Sequence, residues 1–286
     1  MALNFAGPEP GRWIVDALAG DLADPGAAQT VAGQIPGGFE AYARIFHPAR
    51  DDDGRAVRWA AIAAGQGTEL HGEAQFASVS GLDDTGNPWR EDAWEGEPPS
   101  GDGLPQPDLA ALAAVLARHT GTPDRLYLAL WNGYAFIHGG DAVSVLSADT
   151  GGLDEETAER EERLERELKR PAFGSDVLGG PMLELGDEGY RAYFVFSGTG
   201  ADLAHPLWKR GSSFEERQAP NMAWPADHAW MLSTELYEDS TIVGGSAEMV
   251  RALAGDPDLE VRAVTRDSRL DLAGDTVNPR PESPGL

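Results

Sequence analysis

From Trp230 the residues alternate: Trp230, Leu232, Thr234 and Leu236 fall on one side, Met231, Ser233, Glu235 and Tyr237 on the other. A period of two is the signature of a strand, and this one has a strongly apolar face. Glu238-Asp239-Ser240 reads as a turn and Thr241-Ile242-Val243 as a short returning strand. Gly244 and Gly245 are expected to release the backbone, after which Ser246 caps a helix over "AEMVRALAG" with Glu248 near its positive end. Gly255 ends that helix, Asp256-Pro257-Asp258 turns the chain, and "LEVRAV" supplies one more strand. Strand, turn, strand, helix, strand is a compact unit that buries itself only by layering helix on sheet. The fold expected is therefore α+β, with a mostly antiparallel sheet and few helices.

The rest of the chain supports that class. "GFEAYARIFHP" sets Phe39, Ala41, Ala43 and Ile45 against Glu40, Tyr42, Arg44 and Phe46, a strand pattern. "DLAALAAVLARHTG" predicts a helix capped by Asp108, with Leu109, Leu112, Val115 and Leu116 as its stripe and Gly121 at its end. "RLYLALW" (125–131) and "YRAYFVFSG" (190–198) read as buried strands. Residues 154–170 predict a solvated charged helix with Glu156–Arg160, Glu159–Arg163, Glu162–Arg166 and Glu165–Lys169 four apart. The 35 glycines and 20 prolines gather at breaks, above all in 83–107 and from Gly274 onward. Residues 1–273 are read as one α+β globular region with a subdivision point near 83–107. That stretch is either a linker or a loop pinned by Trp89 and Trp94, and 274–286 is expected to be a disordered tail.

Charge is the strongest functional signal. Asp plus Glu number 48 against 22 Lys plus Arg, a net −26, and Lys169 and Lys209 are the only lysines. Such a chain repels nucleic acid and anionic membranes and attracts basic proteins. GC-rich coding, adaptation to high salt and an acidic face for a cationic partner all account for the excess. With no cysteine, disulfides, thiolate metal sites and cysteine nucleophiles are excluded. No apolar run nears the roughly 18 residues of a membrane span, and no secretory signal is visible, so a cytoplasmic location is expected.

Catalytic motifs fail one by one. Gly198-x-Gly200 and "GQGTEL" lack the third small residue and the following helix of a dinucleotide fingerprint, and no phosphate-binding loop occurs. The metal candidates are Glu69, His71 and Glu73, which share one face if "TELHGEAQF" is a strand; an exposed face rich in carboxylates is the reading preferred. Nothing resembles a Gly-x-Ser-x-Gly nucleophile turn. Asp227, His228 and Ser246 could approach one another, but neighbouring Asp and His side chains seldom orient each other as a base requires. Trp224, Asp227 and His228 are the candidate binding residues, although tryptophans in Gly/Pro-rich segments more often cover the edge of a core. No catalytic residue, metal or cofactor is assigned.

Trp224-Pro225-Ala226-Asp227-His228-Ala229-Trp230, then Glu235, then Thr241-Ile242-Val243-Gly244-Gly245-Ser246, resembles the pattern of a group of uncharacterised bacterial proteins. "HTGTPDRLYLALWNGYA" is similar to that group as well, while His228 and Met231 stand where it usually carries arginine and cysteine. The resemblance implies kinship and no activity. In size and acidity the chain also distantly resembles acidic immunity proteins, which block secreted toxins. The expected function is thus that of a non-enzymatic protein binding a basic protein partner through an acidic surface. The alternative is a small-molecule or metal-dependent hydrolase with a site near His71 or Asp227–His228.

Overall fold

The structure, a computed structural model, describes residues 3–83, 85–140, 163–164, 166–186, 191–210, 215–236 and 238–281. Its strands are β1 (Asn4–Phe5), β2 (Ala41–Phe46), β3 (Ala49–Arg50), β4 (Ala56–Val57), β5 (Leu126–Trp131), β6 (Leu183–Glu184), β7 (Ala192–Gly198), β8 (Lys209–Arg210), β9 (Glu215–Glu216), β10 (Met222–Pro225), β11 (Met231–Ser233), β12 (Ser240–Gly245) and β13 (Val261–Val264). Nine of them form one sheet in the order β1-β7-β5-β10-β11-β12-β2-β13, with β6 also paired to β7. Every pairing in it is antiparallel.

Both faces of this sheet are covered, which is why β5 and β7 read as near-continuous apolar runs. On one face Ile45, Leu128, Leu130, Phe194, Phe196 and Leu232 pack under α4 (Gln106–Ala117), a helix over Gly200–Ala204 and another over Ala247–Ala254. On the other, Tyr42, Tyr193, Val195, Met222, Trp224 and Ile242 pack under α1 (Arg12–Ala23) through Ile14 and Leu18. A third cluster at the sheet's end joins Phe46 to Trp59 and Phe76 on α2 (Trp59–Gln66) and α3 (Phe76–Ser80).

Several local expectations change. Helix α4 starts at Gln106, two residues before the expected cap, because Pro107 sits in the first turn, where the missing N–H has no intrahelical partner to lose. Gly121 does not stop it; its N–H instead donates to Asp227 at 2.7 Å. Gly244 and Gly245 do not release the strand but continue it, paired with Tyr42 and Ala41. Gly244 is required by close approach, since a Cβ there would lie 2.6 Å from the Phe39 ring and 2.8 Å from Ile35. Ser246 does cap the following helix, accepting from the Met249 N–H at 3.1 Å.

Residues 85–105 lie against the fold: Trp94 donates its backbone N–H to Ser80, Trp89 Nε1 donates to Ala77, and Leu104 enters the core. Residues 274–281 also make defined contacts. Asp275 is fully buried and accepts from the Gln75, Val277 and Asn278 backbone N–H groups, so polar anchors do what apolar content does not. Tyr190, Tyr237, residues 154–162 and 165 of the expected charged helix, and 282–286 lie outside the described residues; 163–164 and 166–168 are helical.

Adding one methyl at Gly244 overpacks a seam that has no room to widen. Gly244→Ala is expected to lower the unfolding free energy by roughly 1–3 kcal/mol with an unchanged urea m-value, measured by urea titration.

Candidate functional site

One end of the sheet gathers the unusual chemistry. There β5 finishes at Trp131, β7 begins after Arg191, β11 ends at Ser233 and β12 begins at Ser240. A cavity of about 670 Å³ opens at this end, lined among others by Gln34, Trp131, Arg191, Glu235, Glu238 and Asp271. A second of about 300 Å³, bounded by Gln75, Asp83 and Asp239, shares Glu238, Leu270 and Asp271 with it. Glu238 and the segment Leu270–Asp271 therefore stand at the junction.

Three carboxylates face Glu238, and each has an arginine. Arg191 pairs with Glu235 and also donates to the Gly33 carbonyl at 3.4 Å. The Arg269 Nε donates to Asp271 at 2.8 Å. Arg44, rising from the middle of β2 and fully buried, donates to Asp239 at 3.2 Å, to the Ser240 hydroxyl at 2.8 Å and to the Ala74 carbonyl at 2.8 Å. Its guanidinium carbon lies 4.8 Å from the centre of the Phe46 ring. Glu238 is the fourth, and its carboxylate has no hydrogen bond or ion pair among the described residues.

Burial, and then repulsion from Asp239, Glu235 and Asp271, push the Glu238 carboxyl up to about 7, against the pull of Arg44. Burial also raises Asp239 against Arg44, and Glu235 against Arg191. Gln34, with 6 % of its surface exposed, lines the larger cavity and carries an Oε1 that has no hydrogen-bond partner. The site thus combines a concave surface, an uncompensated acid and an unused acceptor. Donor-rich cations fit such a set.

The candidates read from the sequence lie elsewhere. Residues 68–74 form a loop with a turn instead of a strand, so Glu69, His71 and Glu73 share no face. They anchor the C-terminal segment: His71 Nε2 meets Asp275 at 3.0 Å, the Glu69 N–H donates to Asn278 at 2.8 Å, and Glu73 accepts from the Arg269 N–H at 2.8 Å. Among the described residues no group of three or more His, Asp or Glu could hold a metal ion.

Trp224 is fully buried against Tyr127, a core residue. Asp227 accepts from the Thr120 hydroxyl at 2.8 Å and from the Gly121 and Ala229 N–H groups. Burial alone would raise its carboxyl, but these bonds together hold it below the usual range. His228, at φ 55°, stacks on Trp13 with centroids 4.4 Å apart. All three sit at the opposite end of the sheet from the cleft, as β10 runs away from it from Met222 to Pro225.

No family model, curated protein or solved structure matches this chain. Among the described residues no helix is long and apolar enough to cross a membrane. The residues that sequence reading missed are Glu238, taken for a plain turn residue, and Gln34, Arg44 and Arg191. Arg44 did carry a signal: an arginine between Tyr42 and Phe46 on one strand face must bring a buried partner.

Behind Arg44 lies His47, fully buried, with Nε2 at 2.9 Å from the Thr241 hydroxyl, which in turn meets that of Thr234 at 2.7 Å. Burial, and then the Arg44 charge, lower its pKa from 6.5 to about 3. Below pH 6.5 the unfolded chain takes up this proton and the folded one does not, so stability from this group is full above 6.5 and is lost as pH falls toward 3. The contribution is on the order of 3 kcal/mol between pH 7 and 4. Urea titrations across that range should show a clearly shallower acid-side slope for His47→Asn, whatever its loss at neutral pH.

Proposed function

We propose that the chain is a cytosolic, non-enzymatic protein that captures a guanidinium or ammonium side chain of a basic protein partner in this cleft, as an immunity-like inhibitor does. One observation carries the reading: three carboxylates, each ion-paired to an arginine, surround Glu238 where the two cavities join, and among the described residues Glu238 itself has no ion pair. A cation entering beside it supplies the missing charge, and Gln34, whose buried Oε1 has no partner, lines the same cavity. The net charge of −26 draws a basic partner in from a distance. General surface acidity does not account for this arrangement, because genome composition or salt adaptation scatters acids without enclosing one. The kinship read in the Trp-Pro-x-Asp-x-x-Trp pattern adds no activity; Trp224, Asp227, Trp230 and Ser246 make the contacts of a scaffold.

The hydrolase reading has one specific support, an acid held near neutrality inside a cleft, which suits proton transfer. It would centre on Glu238, since neither His71 nor Asp227–His228 lines either cavity. Hydrolysis of a small-molecule substrate that Glu238→Gln abolishes would favour it.

Titration of the full chain with a fluorescent, end-capped Gly-Arg repeat peptide tests the binding reading. Saturable binding is expected that weakens as salt rises. Glu238→Lys is expected to weaken it by about tenfold or more, while reversing the exposed Asp124 at the sheet's other end has little effect. Equal losses from both reversals would reduce the interaction to unspecific charge attraction.

A further inference from the structure

We propose that the cleft exchanges a proton for its cation: a guanidinium entering beside Glu238 displaces the proton that this carboxyl holds in the free protein, so capture tightens as pH rises and loosens as it falls. The proposal rests on the cation-capture reading and adds its regulation.

The geometry confines the exchange to one group. From its own turn Glu238 faces Glu235 and Asp239; from β2, Arg44; from the C-terminal segment, Asp271. Arg191, beside β7, and Arg269 complete the charged ring, and Asp83 borders the smaller cavity. α1 contributes only Leu22 to the lining, and the 28–34 stretch contributes Ala28, Gln29, Gly33 and Gln34, none of which titrates. Glu235, Asp239 and Asp271 each face an arginine, which favours their charged forms. Glu238 faces three acids and shares the pull of Arg44 with Asp239, so among these four carboxyls it is the one that no ion pair holds in its charged form. The cation changes that balance, because an opposite charge within a few ångströms restores the ionised form. The unpartnered Oε1 of Gln34, on a residue nine-tenths buried, is a separate sign that the cavity is built for a hydrogen-bond donor and not for water-facing acids alone.

The proton balance follows. With the free carboxyl titrating at about 7, it is half protonated at that pH, and binding releases about half a proton. Affinity scales with the ionised fraction, rising roughly tenfold from pH 6 to pH 8 and levelling above.

The test is calorimetric titration of the full chain with the capped Gly-Arg peptide, at pH 7 in two buffers of different ionisation heat and then from pH 6 to 8. Arginine does not titrate in this range. A buffer-dependent heat equal to about half a proton released, with the roughly tenfold rise in affinity, is the expected result. In Glu238→Gln the residual binding should release no proton and be flat with pH. Should that variant bind too weakly to measure, the infrared band of a protonated carboxyl in the free protein decides: it must titrate near neutrality in the wild type and be missing from Glu238→Gln. Peptide binding with no proton release, or with release unchanged in Glu238→Gln, overturns the exchange while leaving cation capture standing. No saturable binding at any of these pH values overturns both.

Discussion

The ion pair between Arg44 and Asp239 is the constraint on which the rest of the architecture depends. Arg44 stands mid-strand in β2, between β12 and the edge strand β13 of a sheet covered on both faces, with no exposed surface. An isolated guanidinium there would cost many kcal/mol, so every donor must be answered. Asp239, Ser240 and the Ala74 carbonyl answer it from the β11–β12 turn and from the segment before α3, tying those elements to β2. Removing the arginine alone would leave the partly buried Asp239 uncompensated. The turn that Arg44 fixes is the one that carries Glu235 and Glu238 to the cleft.

The sheet divides labour between its two ends. At one end Asp227 is clasped by Thr120, Gly121 and Ala229, and His228 lies flat on Trp13, so polar groups are consumed in closing the fold. At the other end three arginines pair with Glu235, Asp239 and Asp271, and among the described residues Glu238 beside them has no ion pair. Buried groups in a stable scaffold are normally balanced; an imbalance that persists in a concave, partly enclosed place is where a ligand has something to gain.

How far the sequence revealed this depends on the range of the interactions. Strands β2, β5, β7 and β13 and the helix after Ser246 were legible because periodicity, caps and breakers act within a few residues. The role of Gly244 was not, since its need for a missing side chain is imposed by Phe39 and Ile35, some two hundred positions away. His71 and Glu73 looked like ligands because their spacing is local, whereas their partners Asp275 and Arg269 come from the far end of the chain. Glu238 was hidden for the same reason: "EDS" is an ordinary turn until Asp271, Arg44 and Glu235 are brought around it. Acidity was visible in the count of charges, but enclosure is a property of the folded surface.

The segment after β13 runs over the protein from the Thr30–Arg269 bridge to the Asn278 contacts at Glu69, and supplies Leu270 and Asp271 to both cavities on the way. Chain order therefore sets a schedule for assembly. Every strand of the main sheet precedes Leu270 and Asp271 in the chain, so the wall that these residues supply is the last part of the cleft to be made. A chain cut short of Leu270 would lack a wall of both cavities.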